Sequence, residues 1–267
     1  MAGYEITKAN RRNQGPLLNY LRNDVARHAF ALYDVIQEPE NTTVFFVTGD
    51  DGATSGYLLI YQTLPYLSVI LDSQKEAAEE LFRLVPREKG ILFVPPELLS
   101  AAKTKVSSSG IYAEEQMSLA RRRADLHPSP MTRRLTSNDA RAVAELYCSD
   151  KLSGSTLRDF DAARKLLGRR PFFGYEVGGK LVAIAGALAA MPEVAVIGGV
   201  FTHPEFRGRG YAKATTAAVG RYLFDISNLI TLFVRSDNVS AISAYSALGF
   251  EKTGERYWVD MGTGLCP

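Results

Sequence analysis

The sequence predicts an α/β (α+β) fold of two related domains in tandem, and three observations support this prediction. The chain has 267 residues, of which 46% are hydrophobic and 22% charged; this is a globular composition, long enough for two ordinary domains. Segments with helical periodicity alternate with strand-like segments. The order helix, three strands, helix, strand occurs twice. Such an order can recur by chance, but it favours two copies of one fold.

The two copies of this order occupy the two halves of the chain. The first has a helical stretch at 16–36, strand-like stretches at 43–49, 56–62 and 67–72, a helix at 73–85 and a strand at 91–94. The second has a capped helix at 136–150, strands at 172–177, 181–190 and 194–202, a helix from Tyr211 to Phe224, a strand at 229–234 and a helix from Val239 to Leu248. The pair Gly178-Gly179 predicts a hairpin turn. Residues 250–261 are expected to close the chain as strand, turn and strand.

The segment ARRRADLHPSPMTRR at 120–134 separates the two copies. It has arginine runs, prolines and no hydrophobic periodicity, which is typical of an exposed linker. We therefore expect one domain at 1–125, a linker at 126–134 and a second domain at 135–267. The arginines suit either a solvated linker or a patch for a polyanion.

Charge and cysteine content exclude several classes of function. The formal net charge is only +2, so neither nucleic acid nor a membrane surface is an expected partner. Cys148 and Cys266 are the only cysteines, which argues against a disulfide framework or a metal site. Cys148 lies in an apolar periodic stretch and is expected to be a buried thiol rather than a nucleophile. Without a signal peptide or a membrane span, the expectation is a cytoplasmic monomer or homodimer.

One short segment predicts an anion site. Glycines and arginines alternate directly before the predicted helix, in the order Arg207, Gly208, Arg209, Gly210, Tyr211, Ala212. A helix N-terminus has free N–H groups and a positive dipole end, and glycine lets an anion approach the backbone. A plain glycine turn with solvent-facing arginines is the alternative. The corresponding segment of the first half, DSQKEAAEE at 72–80, is acidic and would repel a phosphate.

Two sequence motifs, one of which contains the predicted anion site, resemble the signatures of a known family. VFTHPEFRGRGYAKA at 200–214 resembles the acyl-CoA signature of the GNAT superfamily of N-acetyltransferases, and DNVSAISAYSALGFEKTGE at 237–255 resembles its second signature. The two-domain layout is similar to that of the glycine N-acyltransferase group. On this resemblance 1–125 is a degenerate GNAT-like domain and 135–267 is the catalytic GNAT domain, each with a mixed, mostly antiparallel sheet flanked by helices.

The resemblance implies how acyl-CoA, the expected co-substrate, is bound. The strands at 194–202 and 229–234 splay apart to admit the pantetheine arm, with a bulge at Gly198-Gly199. The backbone of Val200, Phe201 and Thr202 meets pantetheine and the thioester, and 207–212 holds the pyrophosphate. Asn238 caps the following helix and contacts the pantetheine arm or holds the strand end. No metal is expected.

The resemblance also suggests a general acid but leaves the base open. Tyr245, seven residues after Asn238, is where the family has a tyrosine that protonates the departing thiolate; a buried aromatic residue is the alternative. Glu193 is the candidate base, with Glu176, His203 or a water chain as alternatives.

The expected function is transfer of an acetyl or short acyl group from acyl-CoA to a primary amine in a ternary complex. The acceptor is a small molecule or a peptide, and the sequence does not identify it. The alternative is a catalytically silent CoA-binding sensor.

Overall fold

A computed structural model describes residues 4–62, 65–150 and 155–265. The chain divides into two compact units. Unit 1 comprises Met1–Gln116, Arg235–Asp237 and Gly254–Pro267, and unit 2 comprises Met117–Val234 and Asn238–Thr253. Among the described residues, no helix is both long and apolar enough to cross a membrane.

Helices and strands follow the same order in both halves of the chain. The first half contains β1 (Glu5–Lys8), α1 (Gly15–Asn23), α2 (Ala29–Gln37), β2 (Thr42–Thr48), β3 (Thr54–Tyr61), β4 (Leu67–Ser73), α3 (Lys75–Phe82), β5 (Gly90–Val94), α4 (Leu99–Lys105) and β6 (Gly110–Ala120). The second contains β7 (Thr132–Leu135), α5 (Ala140–Cys148), α6 (Phe160–Arg169), β8 (Phe172–Val177), β9 (Lys180–Ala190), β10 (Ala195–Thr202), α7 (Tyr211–Leu223), β11 (Leu229–Arg235), α8 (Val239–Ser246) and β12 (Glu251–Met261). The predicted α/β class and the repeat are confirmed.

Unit 1 is built on a mixed sheet of β1 to β5, and the C-terminal strand β12 is added beside β5. β1 to β4 pair antiparallel in chain order, and β4 pairs parallel with β5. The outer edge of β5 pairs antiparallel with β12, through Tyr257–Met261 against Val94–Gly90. Val259 and Met261 are buried in the core under α3 and α4. The last strand of the second half therefore belongs to the sheet that the first half builds.

The sheet of unit 2 has the same strand pairing, and β6 from the first half of the chain is added beside its last strand. β7 to β10 pair antiparallel in chain order, and β10 pairs parallel with β11. Beyond β11 lies the end of β6, where Thr231 Oγ1 donates a hydrogen bond to the carbonyl of Met117 at 3.1 Å. Met117 and Leu119 are buried in the unit 2 core. Each half thus contributes its last strand to the other unit's sheet.

Two apolar clusters cover the two faces of the unit 2 sheet. Ile184 lies in a cluster with residues of α5 and α6, whereas the adjacent Ala185 lies in a cluster with residues of α7 and α8. Because successive strand residues point to opposite faces, the two helix pairs cover opposite sides of the sheet. The predicted hairpin at Gly178-Gly179 is confirmed, with φ of +57° and +78° between β8 and β9.

Several sequence expectations were wrong in detail. The stretch at 16–36 forms two helices, α1 and α2, rather than one. Residues 251–261 form the single strand β12 without a turn. Its Gly254 is instead a position of close approach, where a Cβ would lie 2.8 Å from Gln116 Oε1. The domain boundaries around 126–134 stay a prediction.

Cys148 also differs from its expected environment. It is exposed rather than buried, and its thiol lies 3.8 Å from the carbonyl of Arg158. Val143, Leu146 and Tyr147 share the helical spacing i, i+3, i+4 and fill the buried face of α5. Cys148, one residue beyond them, turns towards solvent. Cys266 lies outside the described residues.

Candidate active site

The N-terminus of α7 in unit 2 is shaped by two left-handed glycines. Gly208 has φ +75°, and Gly210, the N-cap residue, has φ +80°. A Cβ at either position would meet no atom within 4 Å in the described chain. Nor does any described side chain cap the helix. The first-turn N–H groups therefore have neither an intrahelical acceptor nor a side-chain cap among the described residues, as an anion site requires.

The two arginines of this loop have different partners. Arg207 is held by the chain itself, because its Nη2 lies 2.6 Å from Asp150 Oδ2 and its Nε donates to the Thr202 carbonyl at 3.2 Å. Arg209 is exposed, with its guanidinium 5.4 Å from the centre of the Phe206 ring. Arg207 thus anchors the loop, and Arg209 supplies positive charge beside the open space.

β10 and β11 separate after a short pairing. Their registered pairs are Ala195 with Ile230 and Val196 with Thr231, although β10 continues to Thr202. The predicted splay of these strands is confirmed. Past the separation, the facing edge of β10 has backbone groups that β11 does not pair.

A β-bulge distorts the same part of β10, as predicted. Gly198 pairs with Gly186 and Phe201 with Ile184, so Gly199 and Val200 together oppose one residue of β9. Gly199 has φ +59°, which favours glycine. At Gly198 a Cβ would lie 2.3 Å from Leu188 Cδ1, so close packing requires glycine there as well.

The three residues after the bulge point in different directions. Val200 packs against the cluster under α7 and α8, whereas Phe201 packs against the cluster under α5 and α6. Thr202 Oγ1 is buried and has no hydrogen-bond partner in the part of the chain that the structure describes. A buried hydroxyl without a partner is costly, so this atom suits contact with a bound molecule.

Tyr245 lies on α8, on the same side of the sheet as Val200. It is buried in the cluster against which Val200 packs. Burial raises the pKa of its phenol to about 12, so the group is protonated at neutral pH. Asn238 caps α8, as predicted, because its Oδ1 accepts a hydrogen bond from the Ala241 N–H at 3.2 Å.

The candidate bases lie in different surroundings. Glu193 precedes β10, seven residues before Val200, a separation of roughly 20 Å along a strand. Glu176 accepts hydrogen bonds from Arg133 at 2.6 and 2.9 Å. His203 caps the turn at Pro204–Phe206, where its Nδ1 accepts from the Glu205 N–H at 3.3 Å.

Sequence reasoning missed Tyr147, a residue of α5. Its hydroxyl donates a hydrogen bond to the Gly199 carbonyl at 2.8 Å. Its ring stacks on Phe201 with 4.8 Å between the ring centres. Tyr147 is only 3% exposed, and burial raises the pKa of its phenol. Its position in an apolar helix face gave no signal that its hydroxyl reaches the bulge.

Unit 1 differs at the corresponding place. There α3 carries Glu76 in its first turn. The preceding strand β4 carries the buried Asp72 one residue before its end, and Asp72 accepts hydrogen bonds from Tyr20 at 3.1 Å and from Arg27 at 2.6 Å. Carboxylates thus lie around the N-terminus of α3 in unit 1, whereas the corresponding N-terminus of α7 in unit 2 has glycines and backbone N–H groups without a side-chain cap.

Comparison with known proteins gives a family match for one segment of the chain. Residues 140–250 match the family model of the Acetyltransferase (GNAT) family. No curated protein sequence is significantly similar to the chain.

Several solved structures share the fold over nearly the whole chain. A Drosophila protein is 15% identical with a TM-score of 0.71, over 97% of this chain and 98% of that one. A GCN5-related N-acetyltransferase from Sphaerobacter thermophilus is 14% identical with a TM-score of 0.62, over 99% and 98%. A tandem GNAT protein from the clavulanic acid biosynthesis pathway is 17% identical with a TM-score of 0.58, over 98% and 100%. The last supports the two-domain layout.

Proposed function

Because residues 140–250 form a domain of the GNAT acetyltransferase family, we propose that this chain transfers an acetyl or short acyl group from acyl-CoA to a primary amine. Transfer occurs by direct attack in a ternary complex. The acceptor is a small molecule or a peptide amine. The open N-terminus of α7, beside two strands that splay apart, is the observation that carries the proposal.

The residues around α7 suit the diphosphate of acyl-CoA. Backbone N–H groups from 208–212 bind the phosphate oxygens, since Gly208 and Gly210 have no side chain to block the anion; the Arg207 N–H instead donates to the Pro204 carbonyl. Arg209 adds positive charge. Arg207 acts indirectly, because its bond to Asp150 fixes the loop.

The splayed end of β10 suits the pantetheine arm and the thioester. Val200, Phe201 and Thr202 offer backbone groups along the edge that β11 leaves unpaired. The Val200 N–H is the proposed donor to the thioester oxygen, where negative charge develops as the amine attacks. A fixed donor at this point stabilises the transition state more than the ground state.

The chemical step needs one proton donor. The amine lone pair forms the new C–N bond, the C–S bond breaks, and the electron pair leaves with sulfur. Tyr245 is the proposed proton donor to this thiolate, and its raised pKa means that the phenol is protonated at neutral pH. Glu193 precedes β10 and is assigned no step here, and its role as the base stays a prediction. The proton that the amine loses passes to solvent, and Tyr245 regains its own proton from solvent, so no net proton is gained or lost.

A binding and turnover experiment tests the proposal. Acetyl-CoA at 100 times its dissociation constant should raise the melting temperature by roughly 5–10 °C. A panel of primary amines should then release free CoA thiol. Binding with no thiol release across amino acids, polyamines and peptide N-termini would favour the sensor, and a lack of binding would exclude both functions.

Tyr245→Phe tests the acid. We expect kcat to fall about 10²-fold, the range of a lost general acid, with an unchanged dissociation constant for acetyl-CoA. Since the phenol has a pKa of about 12, the wild-type rate should not decline up to pH 10 through loss of this proton. The measurement is a pH–rate profile of both proteins. An unchanged kcat in the variant would reject Tyr245 as the acid.

A further inference from the structure

The Gly199–Val200 peptide of the bulge is held from one side by a tyrosine. The hydroxyl of Tyr147 donates to the Gly199 carbonyl at 2.8 Å, and the ring is fixed by its stack on Phe201. The bulge leaves Gly199 and Val200 without registered partners on β9. The hydrogen bond from Tyr147 therefore replaces a constraint that the regular ladder would supply.

Peptide geometry transmits this constraint to the next N–H group. The C=O and N–H of a trans peptide lie in one plane and point in opposite directions, and the described chain has no cis peptide. Since the Gly199 carbonyl points to Tyr147, the N–H of Val200 points away from it. Tyr147 belongs to the cluster under α5 and α6, whereas Tyr245 belongs to the opposite one. The Val200 N–H is thus directed away from the α5 side.

We propose that Tyr147 is a positioning residue for acyl transfer, which fixes the Gly199–Val200 peptide so that the Val200 N–H meets the thioester oxygen. The inference rests on the proposed function and adds a residue to it. Tyr147 does not touch the substrate. Its hydroxyl also polarises the peptide, because a carbonyl that accepts a hydrogen bond makes its own N–H a stronger donor.

Tyr147→Phe is the test, since it removes the hydroxyl and keeps the ring that stacks on Phe201. We expect kcat to fall about 5- to 10-fold, the effect of one weakened hydrogen bond, while KM for acetyl-CoA stays within about twofold. The carbonyl stretch of bound [1-¹³C]acetyl-CoA, measured by infrared difference spectroscopy, should move towards its value in free acetyl-CoA. A purely structural role would leave this frequency unchanged.

Tyr57→Phe is the matched control. Tyr57 is another buried tyrosine, 1% exposed, and its hydroxyl lies 3.0 Å from His28 Nδ1 in unit 1. Its loss should lower the melting temperature to a similar extent and leave kcat and the carbonyl frequency as in the wild type. If the two variants have the same melting temperature, the same kcat and the same carbonyl frequency, the inference is overturned.

Two outcomes separate this inference from the function on which it rests. A wild-type protein that fails to bind acetyl-CoA contradicts the proposed function, whereas normal wild-type turnover with an unchanged Tyr147→Phe contradicts only the positioning role. Should the phenylalanine variant fail to fold, 3-fluorotyrosine at position 147 keeps the ring and provides a stronger donor. The bound carbonyl frequency should then move further from the free value, and no movement would refute the inference.

Discussion

Replacing Gly210 with leucine is expected to raise the dissociation constant for acetyl-CoA by about 10²–10⁴-fold. The residue has φ +80° and caps α7 with open space around it. A leucine side chain would fill the space proposed for the diphosphate and displace two or more charge-assisted hydrogen bonds, each of about 1.5–3 kcal/mol. Isothermal titration calorimetry with acetyl-CoA measures the change.

Gly179→Leu separates lost binding from backbone strain. Gly179 lies in the β8–β9 turn with φ +78°, and a Cβ there also meets no atom within 4 Å. Both variants carry the same cost of a left-handed non-glycine residue, about 1–2 kcal/mol. Only the Gly210 variant should lose affinity. Equal affinities in the two variants would show that the anion does not lie against the start of α7.

Deletion of residues 254–267 should unfold the β4–β5 region of unit 1. The deletion removes Val259 and Met261, which are 0% and 8% exposed, and the pairs that β12 makes with Gly90–Val94. Burial of two such side chains contributes about 3–6 kcal/mol, a large part of a typical stability of about 5–15 kcal/mol. Amide hydrogen exchange of β4 and β5 should lose its protection.

A shorter deletion controls for the loss of the C-terminus itself. Removing residues 265–267 keeps β12 and the hydrogen bonds of buried Asp260, which accepts from the N–H groups of Thr263 at 2.8 Å and Gly264 at 3.0 Å. Exchange in β5 should then match the full chain. Protection of β5 that survives the longer deletion would show that β12 is dispensable.

The elements that the sequence predicted correctly are those whose signal is local. The turn at Gly178-Gly179, the bulge at Gly198-Gly199 and the start of α7 at Tyr211 each depend on glycines within a few residues. The Asn238 cap is equally local. Such features need no knowledge of distant contacts, and the two family signatures contain two of them, the start of α7 and the Asn238 cap.

Long-range contacts were not predictable in this way. The bond from Tyr147 to Gly199 joins residues 52 positions apart, and the spacing of α5 shows only that Tyr147 lies on the apolar face. The bond between Arg207 and Asp150 spans 57 positions. It was missed for the same reason, since a pair of opposite charges in a sequence carries no information about whether the two meet.

The prediction of the general base shows a different limit of reasoning from sequence. Glu193 is a candidate because the family resemblance implies a glutamate on this strand; the strand begins at Ala195, and the bulge lies near its other end. Distance along an extended strand grows by about 3.3 Å per residue. A few residues of sequence separation, which would bring side chains together on a helix, therefore separate them here.

The interchange of β6 and β12 has a consequence for biosynthesis. While the ribosome is still making the second half, β5 has been translated but its neighbour β12 has not, so this edge of the nascent sheet stays open until β12 emerges. Exposed edges invite pairing with other chains. Nascent chains that carry β5 but not yet β12 are then the species most prone to associate, and pairing with β12 closes this edge.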